Sequence, residues 1–184
     1  MHVDEFWGLV EAARRDEGPF SEALTAQLAA LPAERILEFQ ERFSAVDTRV
    51  YRWDVWAAAY LIGGGCSDDC FTDFRAGLVA LGREWFERVV QSPDDLADHP
   101  LVIEAAAKQN DYVIFYEEVG YAAGQAFDRV TGTDTCEFYE ALERRQTDRE
   151  PAVDLGEGFD FDDEEQMRQR LPRLTALLMP QESS

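Results

Sequence analysis

Between Ile36 and Tyr60 the chain carries one uninterrupted apolar stripe. Ile36, Phe39, Phe43, Val46, Val50, Trp53, Ala57 and Tyr60 follow one another at steps of three and four. An α-helix is the structure that brings such positions onto one face. A single helix over this span would run about 40 Å and form the spine of a bundle. The alternative is two helices broken near Asp47-Thr48. Ala57, Ala58, Ala59, Leu61 and Ile62 make the second half apolar on most faces. That pattern suits burial inside a bundle better than the narrow seam of a coiled coil. Gly63-Gly64-Gly65 ends the stripe, because glycine supplies the left-handed backbone that helix C-termini use. Ser67 then stands as the N-cap of a new helix, with Asp68 and Asp69 in its first turn and Phe71, Phe74, Leu78 and Leu81 as its stripe.

The same period runs through most of the chain. Residues 4–15 place Phe6, Val10 and Ala13 together, with Asp4 as the expected N-cap. Leu24, Leu28 and Leu31 mark a helix starting near Pro19 or Ser21. Trp85, Phe86, Val89 and Val90 mark another, Pro93 opens the next, and His99-Pro100 sets a short one. A helix is expected over 110–130, with Tyr112, Phe115, Val119, Ala122, Ala126 and Val130 on its stripe, followed by one containing Phe138 and Leu142. Residues 147–162, "TDREPAVDLGEGFDFD", break the composition and read as an acidic loop or linker. A last helix is expected over 163–179, with Asp162 as its cap and a restart at Pro172. Phe159 and Phe161 are placed to pin the loop onto the body. The pattern predicts an all-α, single-domain helical bundle of roughly seven to nine helices with no significant sheet. Residues 1–146 form its core, and the C-terminal helix packs back on that core.

Charge narrows the function classes. There are 38 acidic against 17 basic residues, a formal net charge of −21, with no basic stripe. Such a surface repels phosphates and anionic lipids, so direct nucleic-acid or membrane binding is not expected. Hydrophobic residues still make up 46%, enough to build a core. The longest apolar run, "VWAAAYLI", falls far short of the ~20 residues of a membrane span. The N-terminus does not read as a secretory signal, and the expectation is a cytoplasmic protein. Cys66, Cys70 and Cys136 are an odd number and fit no disulfide framework. With only His2 and His99 besides, no metal, no cofactor and no histidine-based catalysis is expected. Hydrolase-elbow, zincin and dinucleotide fingerprints are all missing.

The segment "RWDVWAAAYLIGGGCSDDCFTDF", Arg52 to Phe74, resembles the hallmark of an uncharacterised bacterial family, domain of unknown function four-two-four-zero. "DEFW" at Asp4, "RAGLVALGREWFERV" at Arg75, "PDDLAD" at Pro93 and "LPRL" at Leu171 are similar to further parts of it. The resemblance spans most of residues 4–132 and then 159–178. It departs at Gly77, where a tryptophan is expected, and at Phe127, where a tyrosine is usual. It implies bacterial origin and a mainly helical fold, and no reaction.

Three groups of residues are candidates for chemistry. Arg52 lies one turn before Trp56, within reach of a cation-π contact, while Asp54 sits in an apolar helix and needs a partner such as Arg52 or Arg75. With Trp53 and Tyr60 they make either a structural ion pair or a ligand-facing patch. Ser67, Asp68 and Asp69 are explained by helix capping; the competing reading is a divalent-cation site completed by Asp73, although the spacing matches no calcium loop. Glu117 and Glu118 could act as acid and base only if one were buried.

Two functions remain open on these residues. The first is a non-enzymatic binding or regulatory domain acting through protein contact with an unknown, basic partner, as a monomer or weak homo-oligomer. The second is a small-molecule binder or enzyme whose pocket is built from Arg52, Asp54, Tyr60, Asp68 and Asp69, with Glu118; Trp53, Trp56, Ser67 and Arg75 complete the ten candidate ligand- or partner-binding residues.

Overall fold

The computed structural model describes residues 1–145 and 153–179, so part of the expected 147–162 loop lies outside the described residues. Those residues form α1 (Val3–Ala13), α2 (Phe20–Leu28), α3 (Ala33–Thr48), α4 (Trp53–Gly63), α5 (Asp68–Ala80) and α6 (Arg83–Gln91). A 3-10 helix (Pro93–Asp98), α7 (Pro100–Lys108), α8 (Glu117–Thr131), α9 (Thr135–Arg145), α10 (Glu164–Arg170) and α11 (Pro172–Leu178) follow. No strand occurs among the described residues. The fold is all-α, with more and shorter helices than the stripes suggest.

The long stripe is two helices. The chain leaves α3 after Thr48 and re-enters helix at Trp53, with Arg52 extended at φ −141° and ψ 152°. The break rotates the buried face. Phe39, Phe43, Val46 and Val50 are buried before it. After it the buried residues are Val55, Ala57, Ala58, Ala59 and Ile62, while Trp53, Trp56 and Tyr60 lie half-exposed. Gly64, at φ 62°, turns the chain at the end of α4, and the Gly65 amide donates to the Tyr60 carbonyl at 2.9 Å.

The helix expected over 110–130 begins only at Glu117. Residues 109–116 instead form a bent connection with positive φ at Gln109 (51°), Tyr112 (62°) and Ile114 (74°). A β-branched residue in that region is strained, and packing must impose it. Ile114 is fully buried and lies against α5 at Gly77, where an added Cβ would come within 1.7 Å of the Ile114 carbonyl oxygen. The tryptophan that the resemblance puts at Gly77 has no room there.

Two expected caps move by one or two residues. α1 is capped by His2, whose Nδ1 accepts from the Asp4 amide at 3.3 Å; Asp4 itself lies inside the helix and binds Arg83 at 2.7 Å. α10 is capped by Asp163, which accepts from the amides of Glu165 (3.0 Å) and Gln166 (3.2 Å). Asp162 is engaged elsewhere, accepting from the Tyr60 hydroxyl at 2.5 Å.

α8 packs on α2, α3, α5 and α9, and makes one half of the body around itself. The other half gathers α11 against α4, α7, α10 and the 3-10 helix. α4 and α6 join the halves through α5. One apolar core runs through both, from Phe6, Trp7 and Phe39 to Met167, Leu171 and Leu174. A buried carboxylate holds the C-terminal helices in place. Asp94, in the 3-10 helix, accepts from the amides of Arg173 (3.1 Å) and Leu174 (2.9 Å) at the start of α11. "PDDLAD" and "LPRL" are therefore two halves of one capping contact.

Candidate functional site

The ten candidate residues fall into four separate places. Arg52 and Asp54 satisfy each other. The Arg52 Nε donates to Asp54 Oδ1 at 2.9 Å and its Nη2 to Oδ2 at 2.7 Å. Its Nη1 donates to the Val90 carbonyl at 2.7 Å, at the end of α6. Asp54 Oδ1 also accepts from the Val55 amide at 2.9 Å. All three donor groups of the guanidinium are thus used within the protein, and they tie α4 to α6. The expected stacking of Arg52 on Trp56 gives way to this bidentate pair, which fixes the fork in the plane of the carboxylate.

The tryptophans build an aromatic stack. Trp53 lies parallel to Trp56 (5.3 Å, 8°), and Trp56 lies parallel to Phe71 of α5 (4.7 Å, 15°). Trp56 Nε1 donates to the Cys66 carbonyl at 2.9 Å, fixing the turn after α4. Phe161 covers the outer side, edge-on to Trp53 at 6.0 Å and tilted on Tyr60 at 5.5 Å. The backbone amide of Trp53, unpaired within its own helix turn, donates to the Leu155 carbonyl at 3.0 Å. Phe161 thus pins the acidic loop to the body, and Phe159 packs edge-on against it at 5.2 Å.

Arg75 lies at the far end of that stack. Its guanidinium sits over Tyr51 (4.5 Å) and Phe71 (5.3 Å) and pairs with Asp47 of α3. Burial pushes the Asp47 carboxyl up to about 6, and the Arg75 charge pulls the other way.

Ser67, Asp68 and Asp69 are exposed at the start of α5. The Ser67 Oγ accepts from the Cys70 amide at 3.3 Å, as capping requires. No hydrogen bond or ion pair joins Asp68 or Asp69 to Arg52 or Asp54 among the described residues. No group of three His, Cys, Asp or Glu side chains stands ready to hold a metal among them either. Burial first, then Cys70 and Asp73, raises the Cys66 thiol, the opposite of what a nucleophile needs.

Glu118 is remote from the rest. It stands on the rim of a cavity of about 610 Å³ between the α1–α2 connection, the start of α7 and the start of α8. A second cavity, about 530 Å³, includes Tyr60 in its wall with Asp111, Asp162 and Glu164, and its charged lining is acidic throughout.

Two features were not legible from local sequence. The first is an acidic face at the starts of α5 and α8. Burial raises the Asp73 carboxyl, and Glu117, Asp69 and Glu118 add to it. Tyr121, 49% exposed, donates to Glu117 at 3.3 Å and has Tyr139, 51% exposed, beside it. None of these four acids pairs with a cation among the described residues. The second is His99, which caps α7 and walls the larger cavity. The only signal for it was the proline that follows.

Fold and candidate residues together define an all-α, single-domain protein with its hallmark segment built into a packing junction. Residues 1–129 match the model of a family described as protein of unknown function (DUF4240), and the chain belongs to that family. The match ends before the C-terminal segment that carries "LPRL". Comparison with curated proteins and with solved structures finds no match. No helix among the described residues is long and apolar enough to cross a membrane.

Proposed function

We propose that this domain is a non-enzymatic cytoplasmic binding module that acts through protein contact, and that the segment it contacts is basic. The observation that carries this reading is the face formed by Asp69, Asp73, Glu117, Tyr121 and Tyr139. Half-buried Asp73, with the exposed Asp69 and Glu117 near it and no cation paired to it among the described residues, is destabilised as an anion, and an incoming Arg or Lys relieves it. Exposed tyrosines beside them offer ring faces to the same cations and apolar area to the rest of the partner. The contrast with the rest of the surface supports the choice of face. Several arginines elsewhere are paired within the chain, as in Arg35 with Glu5 and Glu38, Arg49 with Glu87, and Arg145 with Glu34 and Glu41.

The test compares affinity capture by three proteins from the native host. They are the wild type, the face variant D73N/E117Q/Y121A/Y139A, and the control E17Q/E84Q, which removes the same charge at exposed sites elsewhere. The expected result is a basic protein retained by the wild type and the control and lost from the face variant. Equal retention by all three, loss from the control as well, or capture of acidic partners alone would overturn the reading.

A further inference from the structure

His99 is 7% exposed, yet its ring is only half used. Nδ1 accepts from the Leu101 amide at 3.2 Å, which leaves that nitrogen without a proton. Burial, followed by the charges of Arg14 and Arg88, lowers its pKa, so the ring is neutral near pH 7. The proton of a neutral ring then sits on Nε2. That N–H has no hydrogen-bond partner among the described residues. It is also not among the fully buried groups left unpaired, so it keeps contact with solvent, and His99 helps to wall a cavity of about 610 Å³. The size is that of a small-molecule site. A ligand acceptor placed there would complete the hydrogen bonding of the ring. The ring is held rigid from behind by Trp85, edge-on at 4.5 Å.

The rest of the lining has an unusual balance for so acidic a protein. Arg14 contributes a cation whose Nη1 binds Glu11 at 2.8 Å and whose other N–H groups have no partner among the described residues. Three carboxylates line the cavity: Asp16, whose Oδ1 accepts from the Gly18 amide at 2.9 Å, and Glu22 and Glu118, which are free of ion pairs among the described residues. Leu81, Leu101 and Val119 make the wall between apolar. A simple anion would meet the carboxylates, and a simple cation would meet Arg14. A ligand with both signs and an apolar part has a partner here for each of its groups.

We propose that this cavity binds an amino-acid-type zwitterion. The ligand's carboxylate is held by the Nε2–H of His99 and the guanidinium of Arg14, and its ammonium group by Glu22 and Glu118. The site shares Glu118 with the acidic face, and its test does not depend on the protein partner.

Imidazole nitrogen NMR reads the site directly, because the full chain has only two histidines. The probes are the free amino acids and leucyl-leucine at millimolar concentration, with isocaproate and isoamylamine as leucine analogues that each lack one charge. The expected result is a saturable shift of the His99 Nε2 resonance with at least one zwitterion. Each single-charge analogue binds about tenfold more weakly or worse. His99→Asn keeps a side-chain acceptor for the Leu101 amide, so α7 stays capped, yet its shorter amide places no donor where Nε2 stood. It should weaken binding, followed at the Leu101 amide, by about tenfold. Arg14→Gln carries the same test should H99N not fold. A His99 resonance unmoved by every zwitterion, equal binding of isocaproate, or undiminished binding by the folded variants would each overturn the proposal.

Discussion

The carboxylate of Asp94 receives the amide of Leu174 at 2.9 Å across eighty positions of sequence, inside the protein. With the Arg173 amide on the same carboxylate, it caps α11 from the 3-10 helix. Removing it orphans two buried donors at once. Asp94→Ala should therefore cost about 2–3 kcal/mol and lower the melting midpoint by roughly 5–10 °C. Asp94→Asn, which keeps one acceptor oxygen, should cost less than half of that. Urea unfolding of the two variants checks the order, and equal losses would mean that the carboxylate contributes by charge rather than by acceptor geometry.

Gly77 and Ile114 touch backbone to backbone, where an added Cβ would lie 1.7 Å from a carbonyl oxygen. The contact cannot yield by turning a side chain, so α5 or the 109–116 connection must move. Gly77→Ala should cost about 3 kcal/mol or more, above the usual range for one added methyl. Chemical unfolding measures it. A cost near that of an ordinary surface substitution would show that the connection is free to shift.

Asp47 makes stability depend on pH in an unusual direction. Its folded carboxyl titrates at about 6, against 3.8 for the free group, so the native state holds more protons between those values. The stability it contributes is fully present below the lower value and is lost as pH rises through the higher one. The loss is at most about 3 kcal/mol. Asp73, also raised, acts with the same sign but stays in place when Asp47 is changed. Unfolding free energies of wild type and Asp47→Asn at pH 4 and pH 7 isolate the term. Leaving Arg75 without a counter-charge shifts the variant overall, while the wild type should lose more stability over this interval than the variant does. Parallel curves would refute the assignment.

Phe161 and Tyr60 hold the acidic loop over the tryptophan stack. Phe161→Ala should release it, and the Trp53 amide, which donates to Leu155 at 3.0 Å, should exchange with solvent faster by about tenfold or more. Tyr60→Phe, which removes the bond to Asp162 and keeps the ring, should have a smaller effect. Hydrogen exchange at that amide gives the answer. Unchanged protection in the Phe161 variant would place the anchor in the backbone bond alone.

Helical periodicity was enough to read the fold class, the glycine stop after α4 and the Ser67 cap, because stripe spacing and capping chemistry are local properties. It left open, or missed, what neighbours decide; of the two readings of the 36–60 stripe, the break after Thr48 is the one the structure has. The stripe from Ile36 to Tyr60 carries no proline or glycine to announce a break. The break is made by contacts from elsewhere: Tyr51 and Trp56 against Phe71, and Arg52 against Val90. The same holds for residues 110–116, whose apolar spacing suits a helix but whose backbone is bent to seat Ile114 over Gly77.

The candidate residues divide in the same way. That Asp54 needed a partner and that Ser67 would cap could be argued from residue type and spacing. That Arg52 is that partner, that Arg75 joins Asp47, and that Glu118 stands by a separate cavity could not. The sequence by itself determined an acidic, all-helical chain with a core and its main punctuation, since these follow from composition, period and backbone chemistry within a few residues. Only the tertiary structure decided which charges meet, which carboxylates stay unpaired and where His99 turns its free nitrogen. Those depend on which helix faces pack together, and no local pattern encodes that.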